Sequence, residues 1–198
     1  MFAEALSFLI QSIAAFFILN LLLRFFLQVV RAPFSHPLAQ FVVKLTNFMV
    51  LPTRRVLPSI KGYDTASLLL AWLLAVLMHL LVLMLWSFNP VHLANPGFLL
   101  GLAALGVLEL LRWGLTMLFA VLLVQAVLSW VSPFNPLMPL LDALTRRVVA
   151  PLQRVLPRLG GIDLSFLVLM LLVDMTQRFF LSPLINEVKL NTMLVMGA

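Results

Sequence analysis

Residues 68–88 read LLLAWLLAVLMHLLVLMLWSF, and this stretch decides the class of fold. A membrane-spanning helix needs about 20 predominantly apolar residues to cross a hydrocarbon core of about 30 Å. This stretch meets that length with His79 as its single ionisable side chain. Residues 5–23, 113–131 and 164–185 meet the same requirement. The sequence therefore predicts an all-α membrane protein with four transmembrane helices.

The composition excludes the other broad classes of protein. The chain has 198 residues, of which 63% are hydrophobic and 10% are charged. A soluble domain has about 45–50% apolar and about 25% charged residues, and a disordered chain has still fewer apolar residues. The chain contains no cysteine, so disulfides and thiol chemistry are excluded.

The basic residues predict how the chain is oriented. Thirteen Lys and Arg residues stand against seven Asp and Glu residues, and nine of the thirteen lie in two loops. Cytoplasmic loops collect Lys and Arg, so both loops are expected on the cytoplasmic side, with both termini outside the cytoplasm. This placement also indicates membrane lipid, rather than nucleic acid, as the partner. The loop residues are Arg31, Lys44, Arg54, Arg55 and Lys61, then Arg146, Arg147, Arg154 and Arg158.

One further apolar segment is ambiguous. Residues 98–108 are eleven apolar residues that precede Glu109 and Arg112, and they cover only about 16 Å as a helix. A fifth complete span would place the two basic loops on opposite sides of the membrane, so four spans are favoured. Residues 98–112 are then a half-span, an interfacial helix, or the outer end of one long helix.

An internal repeat organises the chain. Residues 52–58 read PTRRVLP, and 99 residues later residues 151–157 read PLQRVLP. The same offset relates Gly62-Tyr-Asp64 to Gly161-Ile-Asp163. Two crossings return the chain to its starting side, so the repeats are predicted to be parallel. We expect a first repeat over residues 1–88, a second over residues 98–185, and a short tail over residues 186–198.

Each repeat also contains a short amphipathic segment between its two spans. Apolar residues recur there with the i, i+3, i+4, i+7 spacing of a helix. Such a helix lies at a membrane interface with its apolar face toward the acyl chains or the bundle. The apolar positions are Leu38, Phe41, Val42, Leu45, Phe48 and Met49 in the first copy, and Leu137, Leu140, Leu141, Leu144 and Val148 in the second.

These features together resemble one known family. Two spans around a Pro-Phe break, a Pro-x-x-Arg-Val-Leu-Pro segment and a Gly-x-Asp entry are similar to the YggT family of integral membrane proteins. The resemblance implies a bacterial inner-membrane location and roles in osmotic tolerance, ion uptake or the assembly of membrane complexes. The second copy departs from the first, because Leu152-Gln153 stands where the first copy has Thr53-Arg54.

The arginines beside the repeated prolines are the first candidates for a site. They are expected to contact anionic lipid headgroups, or alternatively a carboxylate of a membrane-protein partner or of a second copy of the chain. A basic residue near an anionic leaflet contributes about 1 kcal/mol, which suffices for the lipid interpretation. The candidates are Arg54, Arg55, Arg146, Arg147 and Arg154.

The remaining charged residues have two different interpretations. Asp64 and Asp163 directly precede spans and are expected to cap those helices. Four ionisable residues inside the spans are candidates for a polar seam between the repeats, with Arg24 reaching toward the interface. The seam residues are Arg24, His79, Asp174 and Arg178.

The sequence favours a non-catalytic function. It contains no phosphate-binding glycine loop, nucleophile–base pair or metal-ligand spacing, so we expect no enzymatic activity, cofactor or metal. The favoured function is support of envelope homeostasis through lipid or protein contacts. The alternative is a transporter or channel component for a small cation, which would use the polar seam.

Overall fold

The chain folds into helices almost throughout. The computed structural model describes residues 1–32, 36–56, 63–87, 90–154, 158–159 and 162–197. Parts of the predicted turns lie outside these residues: the first Pro-Phe pair, the ends of both Pro-x-x-Arg-Val-Leu-Pro segments, Lys61, and the two motif glycines. The α-helices within the described residues are α1 (Phe2–Val29), α2 (Pro37–Val56), α3 (Thr65–Ser87), α4 (Pro96–Val131), α5 (Met138–Gln153), α6 (Leu164–Met175) and α7 (Ser182–Gly197).

Four shorter elements complete the described part of the chain. A 3₁₀-helix, Pro90–Ala94, precedes α4. A π-helical turn, Thr176–Leu181, joins α6 to α7. The two-residue strands β1 (Arg158–Leu159) and β2 (Ile162–Asp163) pair antiparallel just before α6. Asp163, the second residue of β2, is also the N-cap of α6.

Four helices are long and apolar enough to cross a membrane, which confirms the predicted class of fold. They are Phe2–Val29, Thr65–Trp86, Pro96–Val131 and Leu164–Val195. Three of them contain a whole predicted apolar segment and extend beyond it, and Thr65–Trp86 contains residues 68–86 of the segment 68–88. The last combines α6, the π-helical turn and most of α7 into one rod.

The ambiguous segment belongs to α4. Asn95 caps this helix by accepting a hydrogen bond from the Gly97 amide, and Pro96 occupies the first turn, where its missing N–H has no cost. The helix then continues for 36 residues, or about 54 Å at about 1.5 Å per residue. Residues 98–112 are therefore part of one long helix, rather than a half-span or a separate interfacial helix.

The segment expected to be a short tail is also helical. Residues 186–197 continue α7, and Ile185 and Leu181 pack against Leu105 of α4. Thr192 is buried at the same interface, where it lies against Gly101. Polar residues interrupt the apolar run of this segment, so hydropathy alone does not show that one of its faces packs on α4.

The short helices α2 and α5 lie at the same end of the bundle. Ala39 of α2 and Leu140 of α5 belong to one buried cluster, together with Leu27 and Ala32. Pro52 and Pro151 lie within these helices rather than ending them. One face of each helix is buried against the long helices: Ala39, Val42, Thr46 and Val50 in α2, and Leu140, Leu141, Thr145 and Val149 in α5.

The halves of the chain meet where α3 packs against α4. Trp72 of α3 donates a hydrogen bond to the Ala103 carbonyl of α4 over 3.1 Å. Gly106 lies beside this contact, where a Cβ atom would come within 2.5 Å of the Val76 side chain and 3.0 Å of the Trp72 indole nitrogen. A glycine is therefore required for the close approach of the two helices.

Replacing Gly106 by alanine is expected to destabilise the bundle. The new methyl group overpacks a stiff valine and a tryptophan, which costs about 1–3 kcal/mol. Gly114→Ala is the matched control, because nothing lies within 4 Å of a Cβ atom there. The control should be neutral or stabilising by up to about 1 kcal/mol. Unfolding of both variants in detergent micelles measures the difference, and equal stabilities would contradict the close α3–α4 contact.

Candidate functional site

A buried arginine links three helices at the end of the bundle where α2 lies. Arg24 of α1 is only 4% exposed. Its Nε donates to Asp64 Oδ2 over 3.2 Å, and its Nη1 donates to Thr46 Oγ1 over 2.7 Å and to Asn47 Oδ1 over 2.9 Å. The guanidinium therefore remains inside the bundle, and the expectation that Arg24 reaches out to the interface is wrong.

Asp64 is the acceptor at the centre of this cluster. Its carboxylate is fully buried and accepts both hydrogen bonds of a bidentate pair with Arg54, over 3.2 and 2.7 Å. It also accepts from the Ser67 hydroxyl over 2.7 Å and from the Ser67 amide over 3.4 Å. Asp64 thus caps α3, as its position in the sequence predicts. It also forms ion pairs with Arg24 and Arg54, which the sequence analysis did not predict. We call Arg24, Thr46, Arg54, Asp64 and Ser67 the arginine–aspartate cluster.

The surroundings of Asp64 favour its charged form. Burial alone would raise the pKa of this carboxyl. The hydrogen bonds from Arg54 and Ser67, together with the positive charges of Arg54 and Arg24, more than offset burial. The pKa of Asp64 therefore lies below its ordinary value of 3.8, and the carboxylate remains ionised at neutral pH.

The second half of the chain has amide contacts at the corresponding place. Thr145, the counterpart of Thr46, lies 2.7 Å from Oε1 of Gln125 on the adjoining long helix. Gln153, the counterpart of Arg54, donates to Asp163 Oδ2 over 2.6 Å. Asp163 also caps α6 by accepting from the Ser165 amide over 2.9 Å. Thr145, Gln153 and Asp163 therefore form contacts like those of their counterparts, whereas Gln125 does not stand at the position that corresponds to Arg24.

The five candidate arginines fall into two groups. Arg54 is held by Asp64 through its Nε and Nη2. The other four, Arg55, Arg146, Arg147 and Arg154, are exposed, and none forms an ion pair with another described residue. These four guanidinium groups are free to meet a partner at the surface.

The polar seam expected between the repeats is not formed. Arg24 belongs to the arginine–aspartate cluster, and His79 lies 3.7 Å from Glu109. Asp174 and Arg178 pair with each other over 2.9 Å on an open face of the fourth rod, with 43% and 73% of their side chains exposed. The four residues therefore occupy three separate places.

Glu109 is a buried site residue that the sequence did not single out. Its carboxylate is ion-paired with Arg112, and Oε2 lies 3.7 Å from His79 Nε2 on α3. These three residues line a cavity of about 520 Å³ between α1, α3, α4 and α7. The spacing of Glu109 and Arg112 predicts their pairing, but the contact with His79 depends on how α3 packs on α4. Within the described residues, no three acidic or histidine side chains are grouped as metal ligands.

Comparison of the sequence with known proteins shows the family of the chain. A model of the CCB3/YggT family matches two segments of the chain, residues 3–85 and 104–184. This chain belongs to the CCB3/YggT family. The first match covers α1 to α3, and the second covers most of α4 with α5 and α6. The predicted family is confirmed.

Relatives from several bacteria match most of the chain. An uncharacterized protein from the proC 3′ region of Vibrio alginolyticus is 38% identical over 84% of this chain and 88% of its own length. Uncharacterized protein YggT of Escherichia coli strain K12 is 36% identical over 86% of each chain. Uncharacterized protein PA0392 of Pseudomonas aeruginosa is 36% identical over 81% of this chain and 80% of its own. No solved structure matches the chain.

Removing the charge of Asp64 is expected to destabilise the protein strongly. Asp64→Asn leaves Arg24 buried without a counter-charge, which costs about 3–5 kcal/mol. The control Asp163→Asn changes the equivalent cap, whose partner Gln153 is exposed and neutral, and should cost about 1 kcal/mol. Thermal unfolding in detergent compares the two variants.

The same variant has a distinct response to acid. The pKa of Asp64 is lower in the folded protein than in the unfolded one. The stability that its charge contributes is therefore complete above the unfolded pKa of about 4, and it is lost as the pH falls through the folded pKa. The wild type should therefore lose more stability than Asp64→Asn on acidification below about pH 4. Equal losses in the two proteins would show that Asp64 does not hold Arg24.

Proposed function

We propose that the protein is a non-catalytic membrane protein that supports envelope homeostasis by contacting lipid headgroups at the cytoplasmic face of the bacterial inner membrane. One observation carries the proposal. Four exposed arginines without ion pairs to described residues lie on or beside two short helices at the same end of the bundle. Basic side chains in that position gain about 1 kcal/mol each from an anionic leaflet.

The architecture that we propose for this function is a pair of parallel repeats, residues 1–88 and 98–185. Three findings support it. The family model matches the chain twice. Thr46, Arg54 and Asp64 have counterparts 99 residues later that form hydrogen bonds in the same layout. Finally, α2 and α5 contribute to one buried cluster, which is expected if the two repeats point the same way.

The proposed orientation places α2 and α5 at the cytoplasmic interface. Their exposed faces carry large apolar side chains beside basic ones, including Phe41 and Phe48 with 59% and 65% exposure. Such a face suits the boundary between headgroups and acyl chains. The basic residues then lie on the side that collects Lys and Arg, and both termini lie outside the cytoplasm.

The structure gives less support to the alternative function, transport of a small cation. That hypothesis used a seam of Arg24, His79, Asp174 and Arg178. Asp174 and Arg178 pair with each other, but Arg24 and His79 lie at two other places in the bundle. The buried carboxylates of Asp64 and Glu109 are each already paired with arginine. A cation would therefore have to displace a guanidinium at either place, and we do not propose this function.

Anionic lipid should stabilise the protein through the four exposed arginines. In nanodiscs, the unfolding temperature of the wild type should rise as phosphatidylglycerol replaces phosphatidylcholine, and high salt should reduce this rise. Changing Arg55, Arg146, Arg147 and Arg154 together to Gln should abolish most of it. Lys189→Gln, a change of an exposed cation on α7, is the control and should leave it intact. If the fourfold variant responded to phosphatidylglycerol like the wild type, the proposed lipid contact would be wrong.

A further inference from the structure

A cationic cavity lies beside the arginine–aspartate cluster, between α1 and α2. Its volume is about 530 Å³, and it opens to the surface at the end of the bundle where α2 lies. The residues that line it include three cations and two amides, and none of them is acidic. They are Arg24, Gln28, Gln40, Val43, Lys44 and Arg54.

The three cations retain donors that the fold does not use. Arg24 donates hydrogen bonds to described residues through its Nε and Nη1, so the N–H groups of Nη2 remain available. Arg54 donates to Asp64 through Nε and Nη2, so the N–H groups of Nη1 remain available. Lys44 is exposed and forms no ion pair with a described residue. Guanidinium and ammonium groups therefore converge on one cavity with unused N–H donors.

The charges around the cavity do not balance. Asp64 neutralises one of the three positive charges, so an excess of two remains. A phosphomonoester carries a charge of about −1.5 to −2 at neutral pH and offers three strong acceptor oxygens. Guanidinium groups match the spacing of those oxygens and can each donate two parallel hydrogen bonds.

We propose that this cavity binds a phosphate group, presented either by a lipid headgroup that ends in a phosphomonoester or by free phosphate in the cytoplasm. The site goes beyond the proposed function, which rests on the four exposed arginines and requires no defined pocket. If the cluster were purely structural, the ion pairs with Asp64 would explain the positions of Arg24 and Arg54. They would not explain why Lys44 lines the same cavity. The second half has Gln153 in place of Arg54, so the chain is expected to bind one phosphate group.

Phosphate binding can be measured on the full-length protein in nanodiscs of phosphatidylcholine, which has no phosphomonoester. Titration with inorganic phosphate at constant ionic strength should raise the unfolding temperature of the wild type, with the logarithmic dependence on concentration that binding of one phosphate to the folded chain predicts. Lys44→Gln should weaken this binding about tenfold, because one charge-assisted hydrogen bond is lost. Arg54→Gln copies the second half of the chain, retains a hydrogen bond to Asp64, and should weaken binding as well.

Arg31→Gln is the matched control for these variants. Arg31 is exposed near the end of α1 and does not line the cavity, so this substitution removes the same charge from the same end of the bundle. It should leave phosphate binding within about twofold of the wild type, because exposed charges about a Debye length apart are largely screened.

A second arm distinguishes the two sources of phosphate. Nanodiscs that contain some phosphatidic acid present the phosphomonoester on a lipid. If phosphatidic acid stabilises the protein and inorganic phosphate does not, with the effect lost in Lys44→Gln, the ligand is a lipid headgroup. If inorganic phosphate alone suffices, the ligand is soluble. The proposal is overturned if neither probe stabilises the wild type, or if Lys44→Gln and Arg31→Gln respond alike.

Discussion

A charged side chain cannot remain in hydrocarbon without a partner, and this constraint governs where the ionisable residues of the chain lie. Arg24 is buried because Asp64 accepts from it. Glu109 is buried because Arg112 pairs with it. The arginines without such partners lie on or next to α2 and α5, where a headgroup region can solvate them. The distribution of charge thus agrees with the proposal that α2 and α5 lie along the membrane surface.

The two halves of the chain use this constraint differently. The first half buries an arginine and needs a buried aspartate to hold it, which ties α1, α2 and α3 together through one carboxylate. The second half uses amides at its short helix: Gln125 contacts Thr145, and Gln153 contacts Asp163. Since amides supply the structural contacts in the second half, structure alone does not explain why the first half has arginines. The excess positive charge of the first half therefore indicates a function.

Much of the fold could be predicted from the sequence, because hydropathy and capping are local signals. Four spans, two short helices and the caps at Asp64 and Asp163 follow from runs of residues and their borders. The helical end of the chain does not, because polar residues such as Asn186 and Lys189 lower the hydropathy of a segment whose other face packs on α4. The partners of Arg24 and His79 were missed for another reason. Each lies on a different helix, and a sequence without known packing does not show which turns face each other.

The central claim is that α2 and α5 lie at the same surface of the membrane, with their arginines in the cytoplasm. Since the chain has no cysteine, single cysteines at positions 55 and 154 provide unique labels. A membrane-impermeant maleimide applied to inside-out and right-side-out vesicles then reports the side of each position. The account predicts that both cysteines react in inside-out vesicles and that neither reacts in right-side-out ones. Labelling of the two positions from opposite sides would contradict it.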